Sequence, residues 1–241
     1  MHAITDLLHS PFLWRAGELS TGDTRTVPSG YPTLDPELPG GGWPLGALTE
    51  ILGDTEGCGE VSLLLPALTH ERLAGRGLLW VDPPHLPYAP ALQNAGIPLA
   101  QCRVALPEST KDNLWVTEQA LRSGACGAVL AWIESDGRCL SFTALRRLHA
   151  AATQGRGLAF LFRPVTVEHS ASPAVLRLRI AAEIRGLRLH IIKRRGPPLA
   201  RSPLLNVREA RWPNGIASGA PLSRVTASIP QQAAPMPGQV D

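Results

Sequence analysis

The stretch whose residue types and spacing most suggest chemistry is ILGDTEGCGEV, Ile51 to Val61. An apolar strand runs into a glycine-rich turn, and an apolar, helix-like run follows (VSLLLPAL, 61–68). That is the layout of a phosphate-binding loop. Such a loop cradles phosphate with backbone N–H groups, reaches it with a lysine and holds Mg²⁺ with a serine or threonine. Counting from Gly53, the positions for the second glycine, the lysine and the hydroxyl hold Cys58, Gly59 and Glu60. A carboxylate at Glu60 suits the positive end of a helix but repels a triphosphate. Two like charges about 4 Å apart at an effective dielectric of 20 repel by roughly 4 kcal/mol. The chain has only two lysines, Lys111 and Lys193, and both lie far along the sequence from this turn. Gly53, Gly57, Gly59 and Glu60 therefore read as a degenerate P-loop, a strand–turn–helix corner for which no cofactor is expected.

Other reactive residues form no comparable pattern. Cys58, Cys102, Cys126 and Cys139 contain no C-x-x-C pair, and no histidine pair has metal-ligand spacing. Neither a zinc site nor a disulfide framework is suggested. His85 and Tyr88 sit in DPPHLPYAP without a nucleophile or carboxylate at fixed spacing, so that loop reads as rigid scaffold. The formal net charge of +3 is too small to imply nucleic-acid binding. The basic residues are concentrated, however: ten lie between Arg177 and Arg211, against only Glu183 and Glu209. The N-terminus lacks a basic leader, and no run approaches the ~18 apolar residues of a membrane span. The reading is a cytoplasmic protein with no membrane association.

The elements that must position these residues alternate in a way that predicts an α/β parallel sheet. Strands are expected at 47–52, 77–82, 103–106, 127–133 and 158–162. GAVLAWI and LAFLF are almost wholly apolar, as strands buried on both faces should be. Helices are expected at 60–73, kinked by Pro66, at 88–94, at 110–123 with Asn113, Glu118 and Arg122 on the wetter side, and at 141–153 with Phe142, Leu145 and Leu148 inward. Segments 175–181 and 187–193 alternate like a hairpin around Arg185-Gly186. Three regions follow: an N-terminal helix and linker (1–28), a core (29–196), and a proline-rich, basic tail read as disordered (197–241).

The stretches SGYPTLDPELPGGGWPLGALTEILG (29–53), GLLWVDPPHLPYAPALQNAGI (77–97) and EQALRSGACGAVLAWIES (118–135) resemble the RecA recombinase core in motif order and spacing. The resemblance implies a RecA-like, mostly parallel β-sheet flanked by helices. Carried over residue by residue, the RecA ATP-chemistry positions are all altered. The P-loop lysine and threonine fall on Gly59 and Glu60. The catalytic glutamate falls near Pro84, the Walker B aspartate near Trp132 with Glu134 two residues on, and the γ-phosphate-sensing glutamine near Arg163. Phosphoryl transfer needs cradle, cation and water-positioning group together, so no catalytic residue is expected.

Within RecA-like proteins, LLHSPFLWR, LPGGGWPLGALTEIL, DPPHLPYAPALQNAGI, LRSGACGAVLAW and LAFLFRP resemble the ImuA family of bacterial mutasome cassettes. That resemblance implies a non-enzymatic factor of SOS-induced translesion synthesis. Its partners would be an ImuB-type inactive Y-family polymerase and an error-prone C-family DNA polymerase, with RecA and DNA as further candidates. The same core resembles SulA, the cell-division inhibitor that binds FtsZ, which is the alternative reading. SulA-type chains are shorter and lack the basic extension seen here at 175–211. Candidate DNA or partner contacts are Lys193, Arg194 and Arg195, then Arg208, Arg211 and Trp212 in the apolar–basic island LLNVREARW. Leu7, Leu8, Phe12 and Trp14 form an aromatic stripe on the N-terminal helix that suits a helix-in-groove interface.

Overall fold

The computed structural model describes residues 25–54, 57–70, 73–133, 140–194 and 203–206. Leu7, Leu8, Phe12, Trp14, Arg195, Arg208, Arg211 and Trp212 lie outside these residues, as do Glu134 and Cys139.

The chain opens with β1 (Thr26–Val27), which pairs with β2 (Trp43–Pro44) in a small antiparallel sheet. This small sheet includes residues before the expected boundary at residue 29, and Val27 is wholly buried. The main sheet follows. In chain order its elements are β3 (Ala47–Gly53), α1 (Glu60–Leu68), β4 (Gly77–Val81), α2 (Ala89–Asn94), β5 (Cys102–Ala105), α3 (Thr110–Ser123), β6 (Cys126–Trp132), α4 (Phe142–Gly155), β7 (Leu158–Pro164), β8 (Leu176–Glu183), β9 (Gly186–Lys193) and β10 (Leu204–Leu205). The spatial order is β10-β9-β8-β3-β7-β6-β4-β5. Strands β3 to β8 run parallel, while β9 and β10 add an antiparallel margin. This is the α/β architecture that the alternating pattern predicts.

The continuous apolar runs have a simple cause. Successive side chains on a strand point to opposite faces, and both faces are covered. Leu130, Phe160 and Leu178 join the α1 side, with Leu63, Leu64 and Leu92. Val129, Ala159 and Leu161 join the α3–α4 side, with Leu121, Leu145 and Leu148. Capping sets the helix starts. Ser109 Oγ accepts from the Asp112 amide, and Ser141 Oγ from that of Ala144. Below the sheet, the Arg76 guanidinium donates to the carbonyls of Gly124 (2.9 Å), Cys126 (2.7 Å) and Gly155 (2.9 Å), tying the ends of α3 and α4 together.

Four expectations need correction. Helix α1 ends at Leu68, not Leu73. Pro66 has no N–H to give the Ser62 carbonyl four residues back. Tyr31 supplies the missing donor, its hydroxyl lying 3.2 Å from that oxygen. Burial pushes the Tyr31 phenol pKa up, which keeps the donor protonated. On α3, Asn113 and Glu118 are buried rather than wet. Asn113 Nδ2 bridges the Trp132 carbonyl (2.8 Å) and Asp82 (3.1 Å), and Glu118 is held between Arg122 and Arg147. Phe142 is 47% exposed, because as first residue of α4 it precedes the turns that face the sheet. Finally, Leu204 and Leu205 pair with Arg188 and Leu187, so the sheet reaches past residue 196.

Candidate functional site

The glycine turn closes at the carboxyl ends of the parallel strands, the edge where open α/β sheets build sites. Gly53 ends β3, Gly57 and Gly59 take left-handed backbone angles (φ 68° and 109°), and Glu60 starts α1. The four predicted residues therefore do form one corner. Its decisive feature is the destination of the Glu60 carboxylate. Oε1 accepts from the Gly57 amide at 3.0 Å and Oε2 from the Gly59 amide at 3.0 Å. Amides that a phosphate loop would offer to its ligand are bonded instead to the protein's own anion. Glu60 is 7% exposed, so the contact is largely dry and charge-assisted. Gly59, at the lysine position, has the left-handed backbone that a lysine would adopt only under strain. Cys58 sits between them. Its thiol is pushed up to about 12, first by burial and then by the Glu60 charge, so it is no nucleophile at neutral pH.

Two clefts flank the corner. One, of about 210 Å³, lies over the ends of β3, β6 and β7 and is lined by Asp54, Cys58, Glu60, Trp132 and Arg163. The other, of about 250 Å³, lies between α1, the proline loop and α2. Trp132, where a Walker B aspartate would sit, instead stacks between Phe162 (4.2 Å, 10°) and Trp80 (5.9 Å, 12°). An aromatic layer thus spans the ends of three neighbouring strands. Among the described residues no group of three His, Cys, Asp or Glu is placed to hold a metal ion, and no helix is long and apolar enough to cross a membrane.

Arg163, where the resemblance puts the γ-phosphate-sensing glutamine, borders the first cleft but turns its guanidinium to Glu50 on the α3–α4 face. It belongs to a buried charge cluster that sequence reasoning missed. Glu50 Oε1 accepts from Arg163 (3.3 Å) and Ser172 (2.6 Å), and Oε2 from Arg177 (2.8 Å). Arg177 also donates to the carbonyls of Val167, Glu168 and Ser170. The available signal was parity: Glu50, Arg163 and Arg177 lie on adjacent strands β3, β7 and β8, all on the α3–α4 face.

Among the described residues, the basic region is mostly committed internally. Arg179 meets Asp54 and Glu168, and Arg188 pairs with Glu183. The two described candidates for DNA or partner contact are also engaged. Lys193 Nζ donates to the Ser172 carbonyl at 2.8 Å. Burial, then the neighbouring Arg177 charge, lowers its pKa. Arg194 Nη1 donates to the Glu37 carbonyl at 2.7 Å and lies 3.5 Å from its carboxylate. These two residues pin the margin of the sheet to the rest of the domain.

Comparison with known proteins fits this frame. The family model described as "Cell division inhibitor SulA" matches residues 46–159. The chain is RecA- and SulA-related. It is 35% identical over 115 residues to the cell division inhibitor SulA of Photorhabdus laumondii, covering 48% of this chain and 63% of that one. It is 31% identical over 121 residues to Protein RecA of Picosynechococcus, covering 49% and 33%. Protein RecA of Bacillus subtilis is 28% identical over 118 residues, covering 49% and 34%. The chain thus spans about a third of these RecA proteins and less than two thirds of that SulA.

Proposed function

We propose that this chain is a non-catalytic, RecA-like accessory factor of an SOS-induced translesion-synthesis mutasome, of the ImuA kind. The observation that carries the reading is the Glu60 carboxylate bonded to the Gly57 and Gly59 amides. The RecA-type scaffold survives around a loop whose phosphate cradle is self-occupied, which suits a protein that works by contact. The partners would be an ImuB-type inactive Y-family polymerase and an error-prone C-family polymerase, with RecA and DNA as further candidates. Since Lys193 and Arg194 are used internally, the contacts fall to segments outside the described residues, foremost Arg208, Arg211 and Trp212.

The test is capture of purified ImuB-type protein by the full chain and by a chain ending at Asn206, which keeps β10. Binding by the full chain alone supports the reading; binding by neither overturns it. In cells, deletion should abolish damage-induced mutagenesis. A second reading, as a SulA-type division inhibitor acting on FtsZ, draws on the family match over residues 46–159. It requires that overproduction cause filamentation and that the purified chain block FtsZ polymerisation.

A further inference from the structure

The cleft beside α1 lies in an uncharged part of the surface. From Pro83 to Cys102 the chain carries no Asp, Glu, Lys or Arg. Glu60 also lines the cleft, but its carboxylate is bonded to the Gly57 and Gly59 amides. The cleft, of about 250 Å³, is walled by Val61, Leu65, Ala91 and Leu92, with Trp80 and Trp132 at its floor. The apolar surface extends to β5, the outermost strand on that side among the described residues. There Val104 stands in register with Trp80, on the same face of the sheet, and is 42% exposed.

Beside this hole stand two knobs. Leu86 and Tyr88, on the proline loop that forms the rim, are 69% and 60% exposed. Pro83, Pro84 and Pro87 fix φ along that loop, so both side chains are held out on a stiff backbone. Large apolar groups gathered at the lip of an apolar cleft mark an interaction surface, and depletion of charge is the mark of an interface core. What the patch fits follows from its carrying both halves of a contact. A two-fold axis sets one patch against itself, so that residue i of one copy meets j of the other and j meets i. A knob beside a hole meets that requirement. The lack of charge removes the like-charge repulsion that a two-fold axis imposes on a charged patch.

We propose that the occupant of this cleft is a second copy of the chain. Two copies meet about a two-fold axis, with Leu86 and Tyr88 of each seated in the cleft of the other. The proline loop is then a docking element as well as rigid scaffold. Such pairing is independent of service in a polymerase assembly.

The test is sedimentation velocity of the full-length chain over a concentration series, in about 0.15 M and about 1 M salt. The expected result is a monomer–dimer equilibrium that the higher salt does not weaken, because the contact is uncharged. Removing the knobs, with Leu86→Ser and Tyr88→Ser together, should weaken the dimer about a hundredfold. Filling the hole with Ala91→Trp should do the same. Both knob positions are exposed, so the knob variant tests the contact even where the filled one fails to fold. Mixed together as folded proteins, the two variants should associate more tightly than either alone, since the mixed pair keeps one intact knob–hole contact. Ile184→Ser, at an exposed position in the turn between β8 and β9, should leave the dimer unchanged. A chain still monomeric at about 0.1 mM overturns the proposal. So does a dimer that survives loss of the knobs, one that dissolves in high salt, or a mixture no tighter than its components.

Discussion

Removing Glu50 should unfold the protein at a markedly lower temperature. Its side chain is fully buried between β7 and β8, with the Arg163 and Arg177 side chains 2% and 6% exposed. Glu50→Ala leaves two guanidinium groups facing a dry cavity and strands the Ser172 hydroxyl. Breaking a buried ion pair from one side costs about 3–5 kcal/mol. For a domain of this size each kcal/mol lowers Tm by roughly 2–4 °C, so the expected fall is about 6–20 °C. Glu50→Gln keeps the shape and one acceptor oxygen and should cost less. Arg177→Met should cost at least as much as Glu50→Gln, because it also abandons the carbonyls of Val167, Glu168 and Ser170. Urea and thermal melts followed by near-ultraviolet circular dichroism measure all three. A Glu50→Ala loss under about 1 kcal/mol, the range of an exposed pair, would refute the view that this cluster is a dry, mutually dependent unit.

Three further outcomes are expected. Gly155→Ala should destabilise severely, since its Cβ would lie 1.7 Å from the Leu121 carbonyl oxygen where α3 and α4 cross; a melt within 2 °C of wild type would contradict that close approach. Cys58 should react with iodoacetamide at pH 8 far more slowly than a free thiol, because a thiol near 12 is about one part in ten thousand thiolate there. Glu60→Gln removes one cause of the rise and should speed the reaction, and equal rates would count against the contact. His149 Nδ1 accepts from the Leu48 amide at 3.4 Å, and burial, then the Lys193 charge, lowers its pKa. Below the ordinary histidine value the unfolded chain binds the proton first, so stability should fall as pH drops from about 6.5 and level off below the folded value. His149→Gln should remove that part of the slope in urea midpoints measured between pH 7.5 and 5.

The order and type of the elements were legible because hydrophobic periodicity reports them directly. The boundaries of α3 and the hairpin of β8 and β9 follow from Ser109, Gly124 and the alternation on either side of Arg185. What escaped depends on contacts far apart in sequence. Asn113 and Glu118 look like solvent-facing helix residues until β6 and α4 bring Trp132 and Arg147 to them. The basic run at 177–194 looks like a binding surface until Glu50, Glu168, Ser172 and Glu37 supply its partners. The missing lysine of the glycine turn was plain in the sequence. That Glu60 takes the place of the phosphate was not, because it depends on loop geometry rather than on residue spacing.

The central claim is that the RecA-type frame persists here around a phosphate cradle filled by Glu60. It is tested most directly by titrating Mg²⁺–ATP into the full-length chain in an isothermal calorimeter. The account predicts no saturable binding at millimolar nucleotide. A one-to-one isotherm with Kd below about 1 mM, a binding free energy beyond roughly −4 kcal/mol, would contradict it.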